Sequence, residues 1–269
     1  MSGSEEALLR LSIFVGVFAL LALAESLWPR RDLVFGRVRW LANVGLSALN
    51  TALLRLSFFV VPGLTVLAAH YVEGLSWGLL PAAGVTGIAA AVFGFVVLDL
   101  AIYGQHIAFH HVPAFWRLHR VHHADLDFDV STAIRFHPVE ILLSQLWKIA
   151  VVIVVGVPAV AVLAFEIALN ATSMFSHANL RLPRAVDAAL RLLVVTPDMH
   201  RVHHSIEVAE TNSNFGFNLS LWDRVFGTYL AHAKGEQVSM PIGLSSYRGA
   251  EATRFLWLLR LPFARGPVA

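Results

Sequence analysis

Four apolar stretches, each long enough to enter or cross a bilayer, constrain this chain more than any other feature. The first runs from Leu8 to Trp28 and is closed by Pro29 and a basic loop containing Arg30, Arg31, Arg37 and Arg39. The second runs from about Leu41 to Tyr71, the third from near Leu79 through Val97 toward Phe109, and the fourth from Val139 to about Phe175. A span takes roughly 20 predominantly apolar residues. Composition agrees, with 57% of residues hydrophobic and only 14% charged, against roughly 25% charged in an average soluble domain. The expected fold is all-α and integral to a membrane.

Charge sets the expected topology. The arginines at 30–39 place that loop on the cytoplasmic side by the positive-inside rule, and two further crossings return the chain to the same side near residue 105. Histidines cluster there and again near residue 200, beyond the fourth apolar run. A single crossing by that run would strand the two clusters on opposite faces. Residues 139–175 are therefore expected to form a helical hairpin turning at Gly156-Val157-Pro158, each arm about 27 Å long at 1.5 Å per residue. This gives about three transmembrane helices plus a hairpin, with a cytosolic helical cap holding the histidines. Three regions follow: an N-terminal transmembrane region at 1–95, a histidine-bearing catalytic region at 96–240, and a C-terminal interfacial tail at 241–269. Arg184 to Val195 and Phe255 to Leu261 mix bulky apolar and cationic residues and read as interfacial segments, the second equally as a surface helix of the cap.

Met1 to Glu6 lacks a basic n-region and the first run has span length, so that run is expected to be a retained anchor. The C-terminal Arg265-Gly266-Pro267-Val268-Ala269 is no retention signal, which favours a bacterial inner membrane. Net charge is +2, with basic residues scattered among apolar segments, so no nucleic-acid partner is expected. Cysteine is absent, which excludes disulfides, thiolate-bound zinc and iron–sulfur clusters.

Histidine carries the functional signal. Of 13 histidines, eight fall in three tight boxes: His106 and His110; His119, His122 and His123; and His200, His203 and His204. The last two boxes are the same pentapeptide, His-Arg-Val-His-His. Helical residues three and four apart share a face, so each box is expected to project its imidazoles in one direction. Near a membrane, unpaired imidazoles are costly, and a divalent metal is the usual reason to gather them. Eight exceed what one ion can use, so at least two metals are expected, and the repeated box suggests two related half-sites. Asp99 and Tyr103 precede His106 and His110 on one helical stripe. Asp99 is read either as an acceptor for a ligand imidazole or as a helix-end carboxylate reaching interfacial water.

Asp99-x3-Tyr103-x2-His106-x3-His110 and Trp116-Arg117-Leu118-His119-Arg120-Val121-His122-His123 resemble the fatty acid hydroxylase/sterol desaturase superfamily. Arg135-Phe136-His137-Pro138, Phe175-Ser176-His177-Ala178-Asn179 and Met199 to His204 are similar to it too, as are Asn214-Phe215-Gly216 and Leu221 to Thr228. The resemblance runs from about Asp99 to Tyr229. It implies a non-haem di-iron centre that uses O2 to hydroxylate or desaturate a lipid, with the eight box histidines as iron ligands and His177 as a ninth. His137 matches a further position, as a ligand or as a residue supporting one.

Cleaving an alkyl C–H bond needs a redox metal, which zinc is not, and no His-Glu-x-x-His metalloprotease motif is present. Asp125, Asp127 and Glu140 show no ligand spacing. With no dinucleotide-binding glycine motif and no cysteine, electrons are expected from a separate reductase, ferredoxin or cytochrome. Arg117, Arg120, Arg135 and Arg201 are candidates to dock an acidic donor or to hold lipid phosphates. Two other readings compete: a membrane haem protein passing electrons between bis-histidine sites, and a metal-handling protein without catalysis. Arg55, inside the second apolar run, is read as snorkelling or paired, or as touching a substrate head group.

Overall fold

The structure is a computed structural model that describes residues 3–58 and 63–264, the side chains of 55–58 excepted. Arg55 and the C-terminal residues 265–269 therefore lie outside the described side chains. The fold is all-helical and integral to a membrane, with no strand among the described residues. Among the described residues, four helices are long and apolar enough to cross a membrane: α1 (Gly3–Leu27), α5 (Gly87–His111), α7 (Pro138–Val155) and α8 (Ala159–His177). On α1 and α5 the exposed positions include Leu8, Leu20, Leu23, Ile88 and Val92. Apolar residues on all sides of a helix suit a lipid surround.

The second apolar run departs from the single span expected. It forms two helices, α2 (Trp40–Phe58) and α3 (Leu64–Gly74). The polar residues of α2 explain why it does not read as a span: the amide of Asn43 donates to Ser131 at 2.9 Å and that of Asn50 to the Phe136 carbonyl at 3.0 Å. These bonds tie α2 to the histidine-bearing loops. A short α4 (Leu79–Ala82) then leads into α5.

The hairpin is present, turning between Val155 and Ala159 as expected. Gly156 ends α7 at φ +74°, a left-handed conformation that costs glycine little. A Cβ on Gly78 would lie 2.4 Å from the Gly156 Cα, so this tip is a backbone-on-backbone contact. Both arms pack on α3 and α5, and α8 also on α1, more than on each other. Val66, Leu98, Ile102, Val152, Val162 and Phe165 form the buried core of that arrangement. Because the arms separate, a cavity opens between them.

Beyond the apolar helices, the chain builds a cap from α6 (Pro113–His123), a 3-10 turn (Val130–Ile134), α9 (Arg184–Leu190), α10 (Pro197–His203), α11 (Val208–Thr211), α12 (Leu221–Val225) and α13 (Phe255–Arg260). Its anchor is Arg39, fully buried and ion-paired to Asp125, Asp127 and Asp129. Burial pushes the Asp125 carboxyl up, but Arg39 and Arg135 outweigh it and hold it below the usual carboxylate range. Of the arginines expected to face a partner, three are buried instead. Arg120 donates to the carbonyls of Leu261 and Ala264, Arg135 to those of Val121 and Ala252, and Arg201 to Asp198 and Gln237. A guanidinium buried inside the cap is not free to dock a donor. In α9 and the turn after it, Val186, Leu192 and Leu193 are exposed, whereas in α13 Leu258 is buried against α2 and α6.

Candidate metal centre

Nine histidines converge in two groups. The ring nitrogens of His106, His110, His119, His123 and His203 lie within 4.8 Å of one another, as do those of His122, His177, His200 and His204. The groups adjoin: the rings of His123 and His204 stack with centroids 4.5 Å apart. Each pair four residues apart stays together, His106 with His110, His119 with His123, and His200 with His204. Adjacent histidines part, because one residue turns a helix by about 100°. His122 and His123 thus serve different groups, as do His203 and His204. The expectation that each triplet projects its imidazoles in one direction is corrected: each pentapeptide feeds both groups.

Hydrogen bonds fix which nitrogen faces inward. The Nδ1 of His106 donates to the Phe215 carbonyl at 2.8 Å, that of His203 to the Ser213 carbonyl at 2.8 Å, and that of His177 to the Ser173 carbonyl at 2.7 Å. A carbonyl only accepts, so the proton sits on Nδ1 and the Nε2 lone pair points into the group. His119 donates its Nδ1 proton to Glu140 at 2.6 Å with the same result. Inside, the Nε2 atoms of His106 and His119 approach to 3.1 Å, as do those of His122 and His177 and of His177 and His200. Burial pushes the His119 pKa down to about 3. It pushes His122, His123, His200, His203 and His204 well below the ordinary imidazole value, with neighbouring imidazoles adding to the effect. The rings are therefore neutral at pH 7. Both ring nitrogens of His110, His123 and His204 are buried without a hydrogen-bond partner. Lone pair facing lone pair is repulsive unless a cation lies between, and buried unpartnered nitrogens call for one. The donor set fits metal ions that accept imidazole.

The remaining candidates lie around these groups. His137 is in neither; its Nδ1 accepts from the Val139 amide at 3.2 Å, capping α7. Asp99 does not meet an imidazole, in contrast to the acceptor role read for it. Its Oδ2 accepts from the Trp222 indole at 2.8 Å and the Leu219 amide at 3.3 Å, because the loop after Phe215 folds back across α5. The Tyr103 hydroxyl bonds Thr228 at 2.8 Å, and Thr228 donates to Asp223 at 2.7 Å. Asp223 in turn accepts from the amides of Phe215 and Gly216. Asp99 and Tyr103 thus brace the loop whose carbonyl orients His106. Glu140, absent from the sequence candidates, is the carboxylate that orients His119. Its place directly after Pro138-Val139 gave no ligand spacing; a carboxylate in the first turn of an apolar helix was the available signal.

A cavity of about 510 Å³ reaches the first group, with His106, His119 and Glu140 in its wall. Phe109, Phe136, Met174 and Phe217 line it nearby. Leu11 and Thr51, also in its lining, are exposed on the outer surface of α1 and α2, so the cavity opens sideways between those helices.

An apolar helical bundle that closes an all-histidine cage over a cavity between its helices defines a histidine-box membrane protein able to hold metal. Residues 91–228 match the family model described as fatty acid hydroxylase, about half of the chain, and the chain belongs to that family. It is 32% identical over 178 residues to an ornithine lipid hydroxylase of Rhizobium tropici, covering 65% of this chain and 50% of the relative. It is 29% identical over 144 residues to the human alkylglycerol monooxygenase, covering 54% of this chain and 31% of the relative. The Danio rerio alkylglycerol monooxygenase is 31% identical over 137 residues, 50% of this chain and 29% of the relative. The chain thus spans half or less of the length of these relatives. No solved structure matches.

Proposed function

We propose that this protein is a membrane-bound, non-haem di-iron oxygenase that hydroxylates a lipid. The observation that carries the reading is the pair of adjoining histidine groups, one of them opening onto a cavity in the apolar bundle. His106, His110, His119, His123 and His203 would hold one iron and His122, His177, His200 and His204 the other, with His137 outside both. Iron bound there supplies O2 activation, using electrons from a separate donor.

The chain's own residues do the rest. Carbonyls of Phe215, Ser213 and Ser173 fix the imidazole tautomers, and Glu140 holds His119. Preset donors of this kind need no reorganisation when the ion arrives. The apolar wall takes up the lipid from the side and excludes water from the reacting carbon. The relatives, named as an ornithine lipid hydroxylase and an alkylglycerol monooxygenase, support a polar lipid and hydroxylation over desaturation. A haem reading fits poorly, because five ring nitrogens within 4.8 Å leave no room for a macrocycle between axial ligands. We place the histidine cap on the cytoplasmic face, where a soluble donor could reach it.

Metal analysis of the detergent-purified protein, with lipidomics of cells carrying His203→Ala, tests the reading. Two irons per chain and a lipid hydroxylation lost in the variant are expected; a zinc-filled or metal-free protein with unchanged lipids overturns it.

A further inference from the structure

The far end of the cavity is charged. On α7 the residues Glu140, Ser144, Gln145 and Lys148 form a polar stripe along the cavity wall, at spacings that keep them on one helical face. The stripe begins at the histidines and ends at Lys148, eight residues on, about 12 Å along the helix. There Lys148 donates to Glu166 of α8 at 2.8 Å, and Arg10 of α1 pairs with the other Glu166 oxygen at 2.9 Å. Thr65 of α3 donates to Glu166 at 2.9 Å, and Gln145 donates to Thr65 at 2.6 Å. Charged side chains within spanning helices are expensive and mark functional sites by default.

A purely structural clasp would use up its hydrogen-bonding groups, and this one does not. Both Glu166 oxygens are engaged. Arg10 gives its Nε to Glu6 and one terminal nitrogen to Glu166, while Nη2 is buried with no partner among the described residues. Lys148 has three N–H donors, of which Glu166 takes one. Glu6 takes the Arg10 Nε, so two cations meet two carboxylates and the charge of the cluster is balanced. What is left over is N–H donors on two cationic groups, which suits an oxyanion.

We propose that Arg10 and Lys148, held by Glu166, form a subsite for the oxyanion of an amphiphilic substrate, a carboxylate or a phosphate, fixing it about 12 Å from the histidine end. The proposal rests on the oxygenase reading for its substrate but concerns a separate set of residues. It makes the substrate an acidic or zwitterionic lipid, oxidised on a carbon set by that distance.

Binding to the full-length purified protein, read by thermal shift and by titration calorimetry without turnover, tests it. The probes are dodecanoate, dodecyl phosphate and dodecanol, which share one alkyl chain. The protein is expected to bind one or both oxyanions roughly tenfold or more tightly than the alcohol, the worth of one charge-assisted hydrogen bond. Preference for dodecanoate assigns the carboxylate, and preference for dodecyl phosphate the phosphate. Arg10→Gln and Lys148→Gln are expected to erase the preference, and Lys148→Arg to keep it. Equal binding of all three probes by the unmodified protein overturns the proposal, whether or not the variants fold. So does a preference that survives both glutamine substitutions. Iron content is measured on the same samples, so a protein without iron that still selects the oxyanion sinks the oxygenase reading alone.

Discussion

Glu140 accepts a hydrogen bond from Nδ1 of His119 at 2.6 Å, with both side chains buried. The bond turns the His119 Nε2 lone pair toward His106 and raises its basicity, as carboxylates behind metal-bound imidazoles do. Glu140→Ala is expected to weaken metal binding by about 10–100-fold. Glu140→Gln, which keeps an oxygen acceptor, is expected to fall between Ala and the native residue. Metal titration monitored by bound-ion analysis after gel filtration checks the order. Equal affinity in all three proteins would show that the carboxylate does not support the site.

Arg39 is the only cation in ion-pair contact with all three of Asp125, Asp127 and Asp129 among the described residues. Removing one partner of a buried ion pair leaves uncompensated charge and costs about 3–5 kcal/mol. The segment it holds carries Phe128, which stacks on His177 with centroids 5.4 Å apart. Arg39→Leu is therefore expected to lower the unfolding midpoint in detergent sharply and to reduce metal occupancy of the group containing His177. Denaturant unfolding of the purified protein, with metal analysis of the fraction that folds, measures both.

The parts of this arrangement that were legible in the sequence are those governed by helix period. Span length marked α1, α5 and the hairpin arms, and the need to bring residues 119–123 and 200–204 to one side required the turn at Gly156. The division of histidines between groups was not legible, because it depends on how α5, α6, α8 and α10 approach one another. His122 and His123 look equivalent in a line of text, yet the helix turns them apart. Glu140 and the Arg39 cage stayed hidden for the same reason: their partners are distant in sequence, and no local spacing announces them. α2 misled because its apolar residues outnumber Asn43 and Asn50, whose amides nonetheless hold it to the cap.

Asp99 gives a prediction that separates bracing from ligation. Its Oδ2 holds the Trp222 indole and the Leu219 amide, so the carboxylate secures the loop rather than an imidazole. Asp99→Leu strands those donors and is expected to cost about 1–3 kcal/mol of stability. Once folded, the variant is expected to retain metal. Loss of metal at unchanged unfolding midpoint would instead assign Asp99 to the ion itself.

The two histidine groups predict two separable metal losses. His203 belongs to the group facing the cavity and His204 to the other, although they are neighbours in the chain. In His203→Ala the first group keeps His106, His110, His119 and His123, and in His204→Ala the second keeps only His122, His177 and His200. A three-imidazole site binds more weakly than a four-imidazole one, so His204→Ala is expected to lose its ion at lower chelator concentration than His203→Ala. His137→Ala is expected to retain both ions, since that ring caps α7 and lies outside each group. Metal per chain, measured across a chelator series for the three variants, checks the ranking. A His137→Ala protein that loses one ion would place that residue among the ligands, and simultaneous loss of both ions in either box variant would mean that the groups form one site.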